Sequence, residues 1–330
     1  MISFFKSNNP GVVVFYFVYL VVFRICFAFS PGIDVSFPFA HHEPLSALLF
    51  GWIALLPFNA VIKLSVLSAL LNFFQALLVN RIVNENKMTA KKTYLPGAVF
   101  IVFTSFFKQT LVLSPASVAL TFIILAVAAL FRLARKEKAY GDVYDIGFLS
   151  AVVLLLYFPT VIFILFAFIG IATVRTFHYR EWVAMLLGFV TPFFVAFTVY
   201  FVSGTSPNSF LPSAWLSGLA FSFTDKLTIA TFTFLSLAVF ALVPLVLQSA
   251  LIQVRKFTTL MVILFFLLVP AFFLQQKVSL SYFVLFGLPV AVVASMISVQ
   301  LKRSIIAEVM HIILILLVLA GQYLPVFNIL

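Results

Sequence analysis

The chain has 330 residues, 64% of them hydrophobic and 9% charged, with 20 Lys and Arg against 9 Asp and Glu and a net charge of +11. Soluble domains carry about 25% charged residues, so this composition excludes one and leaves no stretch for a separate soluble unit. The positive charge lies in short loops between apolar runs, which is the orientation signal of a membrane protein and excludes a nucleic-acid surface.

Residues 11–29 read as a retained first span, too long for the core of a cleaved signal peptide and without a small-residue cleavage site. The following loop, SPGIDVSFPFAHHEP, holds three prolines and a glycine, which exclude regular helix through most of it. The apolar run 45–80 is too long for one crossing, at roughly 54 Å of helix. Pro57 divides it into a short interfacial helix, 45–56, and a second span, 58–80. Spans are expected at 95–110 and 115–132, turning at Ser114-Pro115. Residues 146–174 read either as one long helix with Pro159 inside it or as a hairpin turning at Tyr157-Phe158-Pro159-Thr160. The basic residues on both sides, Arg132 to Lys138 and Arg175 with Arg180, favour the hairpin, because both groups belong on the cytoplasmic face. Further spans are expected at 183–202, 226–252, 258–274, 282–300 and 306–325.

The predicted fold is therefore all-α, a polytopic transmembrane helical bundle in which 1–330 form a single integral membrane domain. With the amino terminus in the cytoplasm it makes eleven crossings and places 15 of the 20 Lys and Arg residues inside. No repeat of fixed period is visible, nor a matched pair of broken segments of the transporter type. Cys26 is the single cysteine, so no disulfide forms within the chain.

The polar residues this topology leaves over define the candidate site. Arg24, Lys63, Lys108, Lys226 and Lys277, with Asp34, Glu43 and Asp225, all fall on the outer side or in the outer half of the membrane. Arg24 and Lys63 each sit roughly 9 Å below the outer end of a span. A charge buried in a span marks a partner or a ligand, and the alternative is a long stem snorkelling to the headgroups. Two adjacent spans with a cation at matched depth suggest a shared anionic partner. His41-His42-Glu43-Pro44 lacks the ligand set of a zinc site, since His178 and His311 lie toward the other face. Glu43 before Pro44 suits a helix start, and Asp34 or Glu43 at a wet rim also suits a general base. The long outer loop 203–225 mixes polar residues with Phe210, Trp215, Phe221 and Phe223, as an aromatic belt or a lid does. Gln248, His311 and Gln322 lie near span ends and offer little to an ion path.

Two resemblances add to this. The run YFPTVIFILFAFIGIATVRTFHYREWVAMLLGFVTPFF (157–194), with the opening MISFFKSNNP, resembles a family of bacterial polytopic inner-membrane proteins of unknown function. Its motif is Tyr157-Phe158-Pro159, then Arg175, then Arg180-Glu181-Trp182. The architecture, with acidic residues and a short helix in the first outer loop, is similar to the GT-C class of membrane glycosyltransferases, which take sugars from polyprenyl-phosphate carriers. That resemblance implies catalytic roles for Asp34 or Glu43, and a phosphate-binding role for Arg24, Lys63, Lys108 or Lys226, with His42 beside them. The chain departs from the class in lacking a close acidic pair in the loop and a soluble outer domain. The expected partners are membrane lipids, polyprenyl-phosphate sugar and other membrane proteins, with no nucleic acid, metal or cofactor. A lipid or solute transporter (flippase) and a non-catalytic subunit of a membrane complex remain as alternatives.

Overall fold

The computed structural model describes residues 5, 10–28, 43–136, 139–176, 178–202, 222–275, 279–300 and 304–323. Asp34, His41, His42, Lys277 and loop residues 203–221 lie outside these. The described residues are all-helical, with no strand. Six helical stretches are long and apolar enough to cross a membrane: Ala60–Glu85, Pro115–Leu133, Tyr179–Val202, Phe223–Gln248, Ile252–Leu274 and Leu280–Gln300.

In chain order the helices are α1 (Val13–Ala28), α2 (Pro44–Ala54), α3 (Ala60–Glu85), α4 (Leu95–Thr104) and α5 (Pro115–Leu133). They continue with α6 (Tyr140–Leu156), α7 (Ile162–Val174), α8 (Tyr179–Val202), α9 (Phe223–Ala241) and α10 (Val243–Ser249). The last three are α11 (Ile252–Ala271), α12 (Gly287–Gln300) and α13 (Ser304–Tyr323). Local chemistry sets several starts. Pro44 opens α2, and the Asn59 side chain accepts the Val61 N–H at the start of α3. Ser114 and Ser117 form a reciprocal capping box ahead of Pro115.

The bundle exposes many large apolar side chains around an apolar core, and on α3 the polar residues face inward. On α3 the residues Ile62, Val66, Leu70 and Phe74, one helical turn apart, are exposed. Ser68, Asn72 and Gln75 on another face of the same helix are buried. A soluble helix places its apolar stripe inward, so this inversion assigns hydrocarbon as the surrounding solvent.

Residues 140–174 form the hairpin. The α6 helix stops at Leu156, a 3-10 turn covers Phe158–Val161, and α7 returns. Arg132 near the end of α5 meets Asp142 at the start of α6, and Leu130 meets Gly170 near the end of α7. One continuous helix could not bring residues 142 and 170 to the same end of α5. The basic loops share this end of the bundle. Arg135 donates to the Glu85 carbonyl and to Asn86 Oδ1, and Phe131 stacks on Phe257 of α11 at 4.0 Å between ring centroids.

Two departures from the expected spans lie at the centre of the bundle. The α4 helix ends at Thr104 rather than near residue 110: the chain leaves the helix at Ser105, and Thr104 Oγ1 bonds back to the Phe100 and Ile101 carbonyls. The span expected at 282–300 is also broken, into a 3-10 segment over Leu280–Phe286 followed by α12. These two interrupted segments pack on each other, with Gly287 against Thr104, and all ten residues of α4 are buried.

Candidate functional site

The polar interior is organised by α3. Near its first turns, Ser68 Oγ accepts a hydrogen bond from Arg24 Nη2 of α1 at 3.2 Å. Arg24 Nε and Nη1 are buried without a partner among the described residues, and so is the Ser65 hydroxyl one turn away. A guanidinium has five N–H donors, so a single bond to Ser68 leaves most of its capacity unused. One turn deeper, Asn72 Nδ2 donates to Thr104 Oγ1 of α4 at 3.0 Å. Another turn down, Gln75 Nε2 donates to the Ser117 carbonyl at 2.7 Å and to Thr121 Oγ1 at 2.8 Å on α5. The stripe ends with Asn84, which pairs with the backbone of Thr93. From Ser65 to Asn84 it covers about 28 Å, close to the thickness of the hydrocarbon core. Asn72 and Gln75 hold α3 to α4 and α5 through these bonds, whereas Arg24 keeps donors without a partner among the described residues. The sequence signal for this stripe is polar residues spaced three and four apart in an apolar span, Ser65, Ser68, Asn72 and Gln75, all of them neutral and so invisible to a reading based on charge.

The other expected site residues go to separate places. Lys63 lies in the first turn of α3, and its ammonium donates to the Ala54 and Leu56 carbonyls at 3.1 and 3.3 Å. A cation on the last carbonyls of a helix is favourable, so Lys63 closes the α2–α3 turn. Glu43 is the N-cap of α2 and meets the hairpin turn, its Oε1 accepting from the Phe158 N–H at 3.4 Å. Ser46 Oγ donates to the Glu43 carbonyl at 3.0 Å, and Tyr200 of α8 donates to the Pro44 carbonyl. Lys108 sits in a 3-10 turn over Lys108–Leu111, within the field of Asp225 at the start of α9. Lys226 is exposed in the first turn of α9. Asp34 and His42 lie outside the described residues.

The motif of the 157–194 run holds the fold together. Tyr157 is buried and its hydroxyl donates to Gln275 Oε1 at 3.0 Å. Arg175 Nη1 and Glu181 Oε1 form a largely buried ion pair at 2.6 Å across the α7–α8 turn. Trp182 stacks on Phe168 at 5.3 Å. Among the described residues, no group of three or more His, Cys, Asp or Glu is placed to hold a metal ion. No protein-family model, curated protein or solved structure matches this chain. The chain is a multi-helix protein whose apolar helices and inverted polarity fit a multi-pass membrane protein.

Proposed function

We propose that this protein handles a phosphate-bearing lipid of the polyprenyl-phosphate class in one leaflet of a bacterial inner membrane, as GT-C-like sugar transferases do. The observation that supports this reading is Arg24. A cation inside an apolar helix costs about 2.5–3.5 kcal/mol on insertion scales, and nothing among the described residues compensates it beyond one serine hydroxyl. A phosphate monoester or diester offers the acceptors its remaining N–H groups lack. In this reading the eleven-crossing topology holds, with the basic loops in the cytoplasm, so that Arg24 and Glu43 belong to the outer leaflet. The likeness of residues 157–194 to bacterial inner-membrane proteins agrees with it. Glu43, with Asp34, supplies the carboxylate that deprotonates or orients the acceptor. Lys108 and Lys226 add positive potential at the rim.

The test is transfer of labelled sugar from a polyprenyl-phosphate carrier by membranes containing the protein, compared with Glu43→Gln and Asp34→Asn at equal protein level. Transfer that is lost in one carboxylate variant is the expected outcome, and full transfer by the double variant overturns the catalytic role. A second reading, a lipid flippase, is favoured by the polar stripe that runs the length of α3. It predicts lipid translocation in proteoliposomes that survives both carboxylate changes.

A further inference from the structure

The interruption after α4 carries a second set of unsatisfied groups, unrelated to Arg24. The α4 helix is ten residues long, or about 15 Å, and so stops about halfway through a membrane. At its end the Ser105 carbonyl accepts from Gln322 Nε2 of α13. A carbonyl can only accept, so the orientation of this amide is fixed and its Oε1 points away from the bond. That Oε1 and the Ser105 hydroxyl are both buried without a partner among the described residues, in residues only 2% and 0% exposed. The chain neighbours of these two residues also meet: the Phe106 carbonyl and Thr228 Oγ1 of α9 each lie 3.8 Å from where a Cβ at Gly321 would stand. Thr228 commits its proton to the Thr224 carbonyl at 2.8 Å, so its oxygen can otherwise only accept.

We infer that the break between α4 and its following 3-10 turn binds an alkali cation such as sodium, with Ser105 Oγ and Gln322 Oε1 as ligands. Three features point the same way. The orphaned groups are oxygens, the donor type that hard cations take. The C-terminal end of a half-length helix carries the negative end of its dipole, and it points at the break. Interrupted helices within membranes place ions at such unwound carbonyls. Asp225 stands one turn before Thr228 on α9, and Lys108 lies in its field. Mostly neutral oxygens with one distant carboxylate suit a monovalent ion better than calcium, which draws on several carboxylates.

The experiment is equilibrium binding of radioactive sodium to the purified full-length chain in detergent, by scintillation proximity, with choline chloride holding ionic strength constant. Saturable binding is expected, displaced by unlabelled sodium and not by choline. Ser105→Ala and Gln322→Met should each weaken it by tenfold or more, while Ser150→Ala, remote and bonded within its own helix, leaves it unchanged. If Gln322→Met does not purify as a monodisperse protein, Ser105→Ala decides, because it keeps the Gln322 anchor. Absence of saturable binding, or undiminished binding by Ser105→Ala, overturns the inference and leaves these two groups to an ordered water. Phosphate-lipid binding plays no part in this readout, so failure here is separate from failure of the Arg24 reading.

Discussion

Replacing Gly147 or Gly188 by alanine drives a methyl group into the backbone of the neighbouring helix. The α6 and α8 helices run side by side in the same direction: Tyr140 meets Arg180 at one end, and Val152 shares a cleft with Ala196 and Val199 at the other. A Cβ at Gly147 would lie 2.1 Å from the Met185 carbonyl oxygen, and one at Gly188 would lie 2.2 Å from the Tyr144 carbonyl oxygen. Real Cβ contacts essentially never fall under 3.0 Å, so the helices must separate by about 1 Å, an overpacking strain of about 1–3 kcal/mol. Separation also stretches the Tyr144–Thr191 hydrogen bond, which is 3.0 Å long. Alanine's better helix propensity offsets about 1 kcal/mol at most, leaving a net loss of about 1–2 kcal/mol for each substitution. Both clashes occur at one crossing, so the separation that accommodates the first methyl accommodates the second. The double variant should therefore cost little more than either single one, a coupling of about 1 kcal/mol. Reversible unfolding of the purified protein by SDS titration measures the cycle. Single variants within about 0.5 kcal/mol of the parent, or strictly additive losses, would refute the close-packed crossing.

Other substitutions probe separate parts of the account. Lys87 ends α3 at φ 50°, with Met88 N–H on the Val83 carbonyl at 3.1 Å and Lys87 N–H on Asn84 at 3.2 Å. Lys87→Gly should raise stability by about 1 kcal/mol by removing the left-handed penalty, and a lower melting temperature contradicts this. Glu181→Ala removes the ion-pair partner of the largely buried Arg175 and should cost about 3 kcal/mol, while the double change Arg175→Met with Glu181→Met recovers most of it. A double variant as unstable as the single one argues against the buried pair. Gln75→Leu removes two interhelical hydrogen bonds and should cost about 1 kcal/mol, at an average near 0.6 each in a membrane. A loss beyond about 3 kcal/mol would mean the stripe does more than join helices.

Much of the fold was legible because proline and charge punctuate the apolar runs. Pro44 and Pro57 bracket the short α2 helix, Pro115 starts α5, and Pro159 with its flanking arginines gives the hairpin. The end of α4 was not legible. Nothing in the apolar run through Thr104 marks a stop, and the carbonyl freed at the break is met by a partner more than 200 residues away, Gln322 on Ser105. The interrupted pair, α4 with the 3-10 segment before α12, was missed for the same reason, since each half reads as ordinary span. Arg24 stood out in the sequence as a charge in a span, but its distinction from Lys63 did not. Both are cations at similar depth, and only the tertiary contacts show one spent on helix-end carbonyls and the other left with open donors.

The most direct test of the central claim is binding of polyprenyl phosphate to the purified protein, followed by native mass spectrometry, in the parent and in Arg24→Met. The variant removes an uncompensated cation from an apolar helix, so it should be at least as stable as the parent, and lost binding then reports the site rather than misfolding. The account predicts that the parent retains polyprenyl phosphate in preference to the neutral polyprenol, and that Arg24→Met loses that preference with at least a tenfold drop in affinity, about 1.4 kcal/mol. Equal retention of phosphate and alcohol by the parent, or unchanged binding by Arg24→Met, would contradict it.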